Sequence, residues 1–124
     1  MSGRNYELTL HVVPPSMNAV GGHSHWTVFR KHKKAWQRDI EMALLVAQVP
    51  RHLQRVVAVA SLRFTVDRRR DEGNFRMLLE KALGDALTNG GWLPDDTPDE
   101  YEFGKVHFES ESGPARTVLT LTVT

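Results

Sequence analysis

Between residues 75 and 87, apolar side chains fall at Phe75, Leu78, Leu79, Ala82, Leu83, Ala86 and Leu87. This is the i, i+3, i+4, i+7, i+8 rhythm of one helix face, the clearest periodic signal in the chain. A stripe this continuous has to be covered by a second layer, which restricts the fold to architectures with a helix packed on something apolar. The spacing predicts a helix over about residues 74–88, stopped by Asn89-Gly90-Gly91. An earlier helix is predicted over about residues 30–48, where Trp36, Ile40, Ala43, Leu44 and Ala47 recur at helical spacing and Pro50 closes the run.

Alternation predicts strands at residues 6–13, ended by Pro14-Pro15, and at residues 56–66. Two more are predicted at residues 103–109 and 116–124, joined as a hairpin through Glu111-Ser112-Gly113-Pro114. The order is β-loop-α-β-α-β-β. It reads as an α+β fold, two helices packed on a mixed sheet, in a single domain spanning residues 1–124. A length of 124 residues with 40% apolar content suits one core and is too short for two. Cysteine is absent, which excludes a disulfide scaffold, a thiolate zinc site and a cysteine nucleophile. Apolar runs such as Met42–Val46 stop far short of the ~20 residues that span a bilayer, and no basic stretch precedes an apolar signal core. The expected location is the cytoplasm.

The net charge of +1 conceals an asymmetry. Residues 1–70 hold 12 Lys/Arg against 4 Asp/Glu, a balance of +8, whereas residues 71–124 hold 4 against 11, a balance of −7. A basic part beside an acidic part suits a polyanion partner with carboxylates held close to it, and equally suits two halves that neutralise each other.

Carboxylates stand on both sides of the second predicted helix: Asp71 and Glu72 before it, Asp95 and Asp96 in the proline-flanked loop after it. Hard divalent cations take oxygen ligands and leave positions open for water and phosphate, so such carboxylates suit Mg²⁺. Asp71 also suits a helix N-terminus, and Asp95-Asp96 also suits a turn. At 100° per residue, Asn74, Lys81 and Asp85 fall within about 40° of one another beside the apolar stripe. Lys81 there could face a phosphate, or form an i,i+4 pair with Asp85. Basic residues at Arg68, Arg69, Arg70 and at Lys31, Lys33, Lys34 could hold nucleic-acid backbones or form a solvated face. His23 and His25 lack a third ligand nearby in sequence and read as loop histidines. Trp26, Trp36 and Trp92 read as core or interface residues.

The segment DRRRDEGNFRMLLEKALGDALTNGGWLPDDTP, residues 67–98, resembles the RusA-type Holliday junction resolvases of bacteria and their phages. Those show a basic stretch, an Asp-x-Asp-Asn helix start, Lys-Ala-x-x-Asp-Ala-Leu within the helix, and an Asp-Asp loop after a glycine turn. Pro14-Pro15-Ser16-Met17-Asn18 is similar to that family's Pro-Pro-Ser-x-Asn segment after the first strand. The resemblance implies a homodimeric endonuclease that uses Mg²⁺ (or Mn²⁺) to make paired nicks in four-way DNA junctions. By position, Asp71 matches the first metal-binding aspartate and Asp96 the loop aspartate, with Asp95 as its neighbour and possible substitute. Lys81 matches the helix lysine associated with catalysis once one extra helical turn after Asn74 is allowed for, and Asn74 matches the asparagine of the motif.

One position departs from the pattern. Gly73 stands where the family has its second aspartate, so one expected carboxylate is missing. Either Glu72 reaches inward in its place, or the chain binds junctions without cutting them. A third expectation, a charge-neutralising interaction domain, predicts no DNA affinity even at low salt.

Overall fold

The computed structural model describes residues 3–14, 25–65, 70 and 72–124, without the side chains of His25, Trp26 and Asn74. Six elements follow one another: β1 (Arg4–Leu10), α1 (His25–Val46), β2 (Val56–Phe64), α2 (Gly73–Asn89), β3 (Tyr101–Ser110) and β4 (Arg116–Val123). The four strands form one sheet in the order β1-β4-β2-β3. β2 and β3 are parallel, with α2 as their crossover, and the other two pairs are antiparallel. The architecture is therefore α+β, two helices on a four-stranded mixed sheet.

Cross-strand rows show why one face of the sheet is buried. Leu8, Leu119, Ala60 and Val106 stand side by side across the four strands, and Tyr6, Leu121, Ala58 and Phe103 form the next row. β2 sits between two neighbours and under the helices. Val56, Ala58, Ala60 and Leu62 on its inner face are fully buried, while the residues between them are only half-buried. α2 sets its predicted stripe against this face, with Leu79, Ala82, Leu83, Ala86 and Leu87 fully buried. α1 adds Phe29, Trp36, Ile40 and Leu44 to the same core. Trp36 and Trp92 are both core residues.

The predicted hairpin between the last two strands is overturned. β3 and β4 lie on opposite sides of β2, β3 parallel to it and β4 antiparallel. The turn at residues 111–115 instead crosses the end of β2, where Glu111 N–H donates to the Phe64 carbonyl at 3.0 Å and Thr65 Oγ1 to the Gly113 carbonyl at 2.6 Å. Arg63 on β2 pairs with Glu109 and Glu111, and Arg116 pairs with Glu111, so the crossing is fastened by charge.

Element limits also shift. α1 begins at His25, ahead of the predicted residue 30, and ends as Gln48 takes a left-handed backbone and Val49 N–H bonds the Leu44 carbonyl, before Pro50 is reached. β1 ends at Leu10, short of the predicted Val13, because its pairing with β4 stops at Leu10↔Thr117 and the Thr117 hydroxyl takes the Val12 carbonyl. Among the described residues no helix is long and apolar enough to cross a membrane.

Candidate functional site

α2 ends in a tight plug. Trp92 and Leu93 N–H groups both donate to the Leu87 carbonyl, and Trp92 is buried with its Nε1 donating to the Val49 carbonyl at 2.9 Å. Beyond the plug the loop is tied at several backbone points. Arg55 donates to the Pro98 and Asp99 carbonyls, and the Glu100 and Tyr101 N–H groups both donate to the Thr97 carbonyl. A loop held this way presents its acidic pair in a defined geometry. Asp95 turns inward on the backbone, its Oδ1 accepting the Asp96 N–H at 2.8 Å. Asp96 points back to α2: a Cβ placed on Gly84 would lie 3.3 Å from Asp96 Oδ2 and 2.9 Å from the Tyr101 ring. The two loop aspartates thus have different surroundings, which the sequence could not distinguish.

Asp96 and Lys81 line one cleft of about 580 Å³, together with Phe29, Arg76, Glu80 and Tyr101. Tyr101 is buried at its floor and its hydroxyl donates to the Glu80 carbonyl at 2.8 Å. Burial, with the negative charges of Glu80 and Asp96 beside it, pushes the Tyr101 phenol far above its ordinary range, so it stays protonated. On one wall Arg76 binds the Phe103 and Gly104 carbonyls, where the β2–β3 register slips by one residue, and also pairs with Glu72 and Glu80. The Phe103 and Gly104 carbonyls stand at this irregularity, and Arg76 satisfies both.

Beside the cleft stands an ion triplet, of which Lys81 alone lines it. Lys33 Nζ, reaching over from α1, lies 2.7 Å from Asp85 Oδ2, and Lys81 Nζ lies 3.1 Å from Asp85 Oδ1. Lys33 also donates to Gln37 at 3.3 Å. Only Lys81 opens widely to solvent, its side chain 56% exposed against 16% for Lys33 and 21% for Asp85. Burial alone would raise the Asp85 carboxyl, but the hydrogen bonds and charges of Lys33 and Lys81 outweigh it and hold the carboxyl below its ordinary value.

The remaining candidates divide by location. Asp71, Arg68 and Arg69 lie outside the described residues, as does the side chain of Asn74. Arg70 stacks its guanidinium over the Phe64 ring at 3.6 Å. Lys31 and Lys34 are exposed on the first half of α1, whereas Lys33 is committed to Asp85. Glu72, considered above as a substitute ligand, pairs with Arg76 at 3.2 Å. Gly73, the departure from the motif, is the first residue of α2. Gly73 and Gly84 are separated along this helix by about 16 Å of axial rise. Glu72, directly before Gly73, thus stands farther still from the level of Gly84, which the Asp96 carboxylate approaches. Among the described residues, no group of three His, Asp or Glu side chains is arranged to hold a metal.

Sequence reasoning missed Arg76, Glu80 and Tyr101. Glu80 carries a signal, since it directly precedes Lys81, but a charged residue beside an apolar stripe is too common to single out. Another groove, about 510 Å³ between β1 and α1, is lined by Val12, Met42 and Val46 and holds none of the motif residues. No protein-family model matches the chain, and no curated protein matches it.

Proposed function

We propose that the chain is a structure-selective DNA endonuclease of the RusA type, a homodimer that cuts four-way junctions using Mg²⁺ or Mn²⁺. The observation that carries this reading is convergence: Lys81 and Asp96 belong to separate motifs of the resemblance, and they line one cleft. Asp71 and Asp96 would supply the metal ligands, with Glu72 beside the first and Asp95 beside the second. An oxygen-only donor set suits a hard divalent cation, and of the loop pair Asp96 has the carboxylate that faces the cleft. When bound, such an ion supplies an activated water and neutralises charge on a phosphodiester. Lys81 would stand against the phosphate and stabilise charge as the bond breaks. Arg68, Arg69, Arg70, Lys31, Lys34 and Lys33, together with Asn74, would hold the DNA backbones. Cutting two opposed strands takes two sites, which a twofold dimer supplies.

A second reading, a junction-binding dimer with an impaired site, is favoured by Gly73 in place of a carboxylate and by the pairing of Glu72 with Arg76. One experiment separates the two: a labelled synthetic four-way junction, with linear duplex as control, incubated with the protein in Mg²⁺ and in EDTA. Paired nicks in the junction alone, dependent on metal and abolished by Asp71→Asn with binding retained, are expected. Binding without nicks in Mg²⁺ or Mn²⁺ supports the second reading and makes Gly73→Asp the variant expected to gain activity. Neither binding nor cutting overturns both.

A further inference from the structure

Asp85 divides its carboxylate between two lysines from different helices, one largely buried and one exposed. If the group served only to tie α1 to α2, the Lys33 contact at 2.7 Å would be sufficient. The second oxygen instead holds Lys81, whose other side is the cleft shared with Asp96, Glu80 and Tyr101. A lysine ammonium on a four-carbon stem has many rotamers, and an exposed i,i+4 pair alone restrains it weakly. A carboxylate fixed from behind by a buried lysine is a stiffer anchor, because its own rotamer is settled by the Lys33 contact before Lys81 binds.

We propose that Asp85 is a positioning residue for Lys81: Lys33 locks the Asp85 carboxylate from α1, and the locked carboxylate fixes the Lys81 ammonium at the mouth of the cleft. The two changes act in the same direction. Removing Asp85 frees Lys81 outright, and removing Lys33 unlocks the carboxylate and loosens Lys81 in part. The catalytic consequence rests on the endonuclease reading, but the restraint on Lys81 does not.

The test compares Asp85→Asn, Asp85→Glu and Lys33→Met with the full-length protein. The readouts are the side-chain Nζ order parameters of its lysines by NMR, urea midpoints, and single-turnover cleavage of a four-way junction in Mg²⁺. In Asp85→Asn the Lys81 order parameter should fall towards that of a solvent-exposed lysine, and cleavage should slow by about tenfold to hundredfold with junction affinity within about threefold. In Lys33→Met, read by NMR and urea alone because Lys33 also stands among the backbone-binding residues, the carboxylate loses its lock, so the Lys81 order parameter should fall part of the way seen in Asp85→Asn while the urea midpoint also falls. Asp85→Glu should restore part of the Lys81 order. A mere helix tie predicts that Asp85→Asn and Lys33→Met lower the midpoint alike and leave Lys81 unchanged; that result, or a Lys81 order parameter that holds in Lys33→Met, overturns the proposal. Should Asp85→Asn not fold, a fall in Lys81 order in Lys33→Met supports it and an unchanged order parameter overturns it. Wild-type protein that cuts nothing refutes the endonuclease reading, and the NMR arm then decides the positioning role alone.

Discussion

Gly84 is the point on α2 where Tyr101 and the Asp96 carboxylate approach the helix, and even a methyl group would meet the Tyr101 ring at 2.9 Å. Tyr101 is buried and tethered through its hydroxyl, so it has little room to withdraw. Gly84→Ala should therefore destabilise the fold by about 1–3 kcal/mol, the usual cost of overpacking, despite the better helix propensity of alanine. A urea titration checks this. Asp85 gives a pH signature of a different kind. Its carboxyl is held below the ordinary 3.8 in the folded chain, so its ion pairs stabilise fully above that value and are lost as pH falls through the lower folded value. Asp85→Asn should lower stability near neutrality and flatten its pH dependence below about pH 4, read as urea midpoints across the acid range. At this scale the sequence marks candidates by motif and is mute about their partners. Lys81 and Asp96 stand out by motif, but nothing in the basic run of α1 distinguishes Lys33, which turns to Asp85, from its exposed neighbours Lys31 and Lys34.

α2 was legible because its signal is local: a helical stripe is written within the element that carries it, and the core it buries is the one the spacing announces. The β3–β4 connection was misread for the opposite reason. Gly113 and Pro114 record that the chain reverses, and Gly113 takes a φ of +103°, but turn chemistry does not say which strand the chain reverses onto. Here it reverses across β2. The role of Arg76 was hidden in the same way, since a bulge at Gly104 is a property of the pairing and not of either strand. Arg76→Met should leave the Phe103 and Gly104 carbonyls without their donor, costing about 1–3 kcal/mol, with hydrogen exchange quickening first along β3. Uniform loss of protection across the whole sheet would show that the arginine does not act at the bulge.

Across the whole molecule the charge asymmetry has a spatial counterpart: Arg30, Lys31, Lys34 and Arg38 are exposed on α1, and Asp95, Asp96 and Asp99 are exposed on the loop after α2. Backbone contacts by such lysines make affinity fall with salt. If Lys31 and Lys34 each meet a phosphate, the double change to alanine should reduce the slope of log affinity against log salt by about two while leaving structure preference intact. An unchanged slope would remove α1 from the interface. The last feature is the place of β4. Arg4 pairs with Val123 and Leu10 with Thr117, so β1 has no strand neighbour until the final element of the sheet is in hand, and β4 must then enter between β1 and β2 rather than add to an edge. For folding, this makes β4 a keystone. The β2-α2-β3 unit can assemble from contacts close in sequence, but the first strand waits on the last one, and closing so long a loop slows the rate without weakening the product. Protection of β1 and β4 amides should therefore arise together and after that of β2 and β3, and a chain stopped short of Arg116 would hold half a sheet and one strand with nothing to pair it.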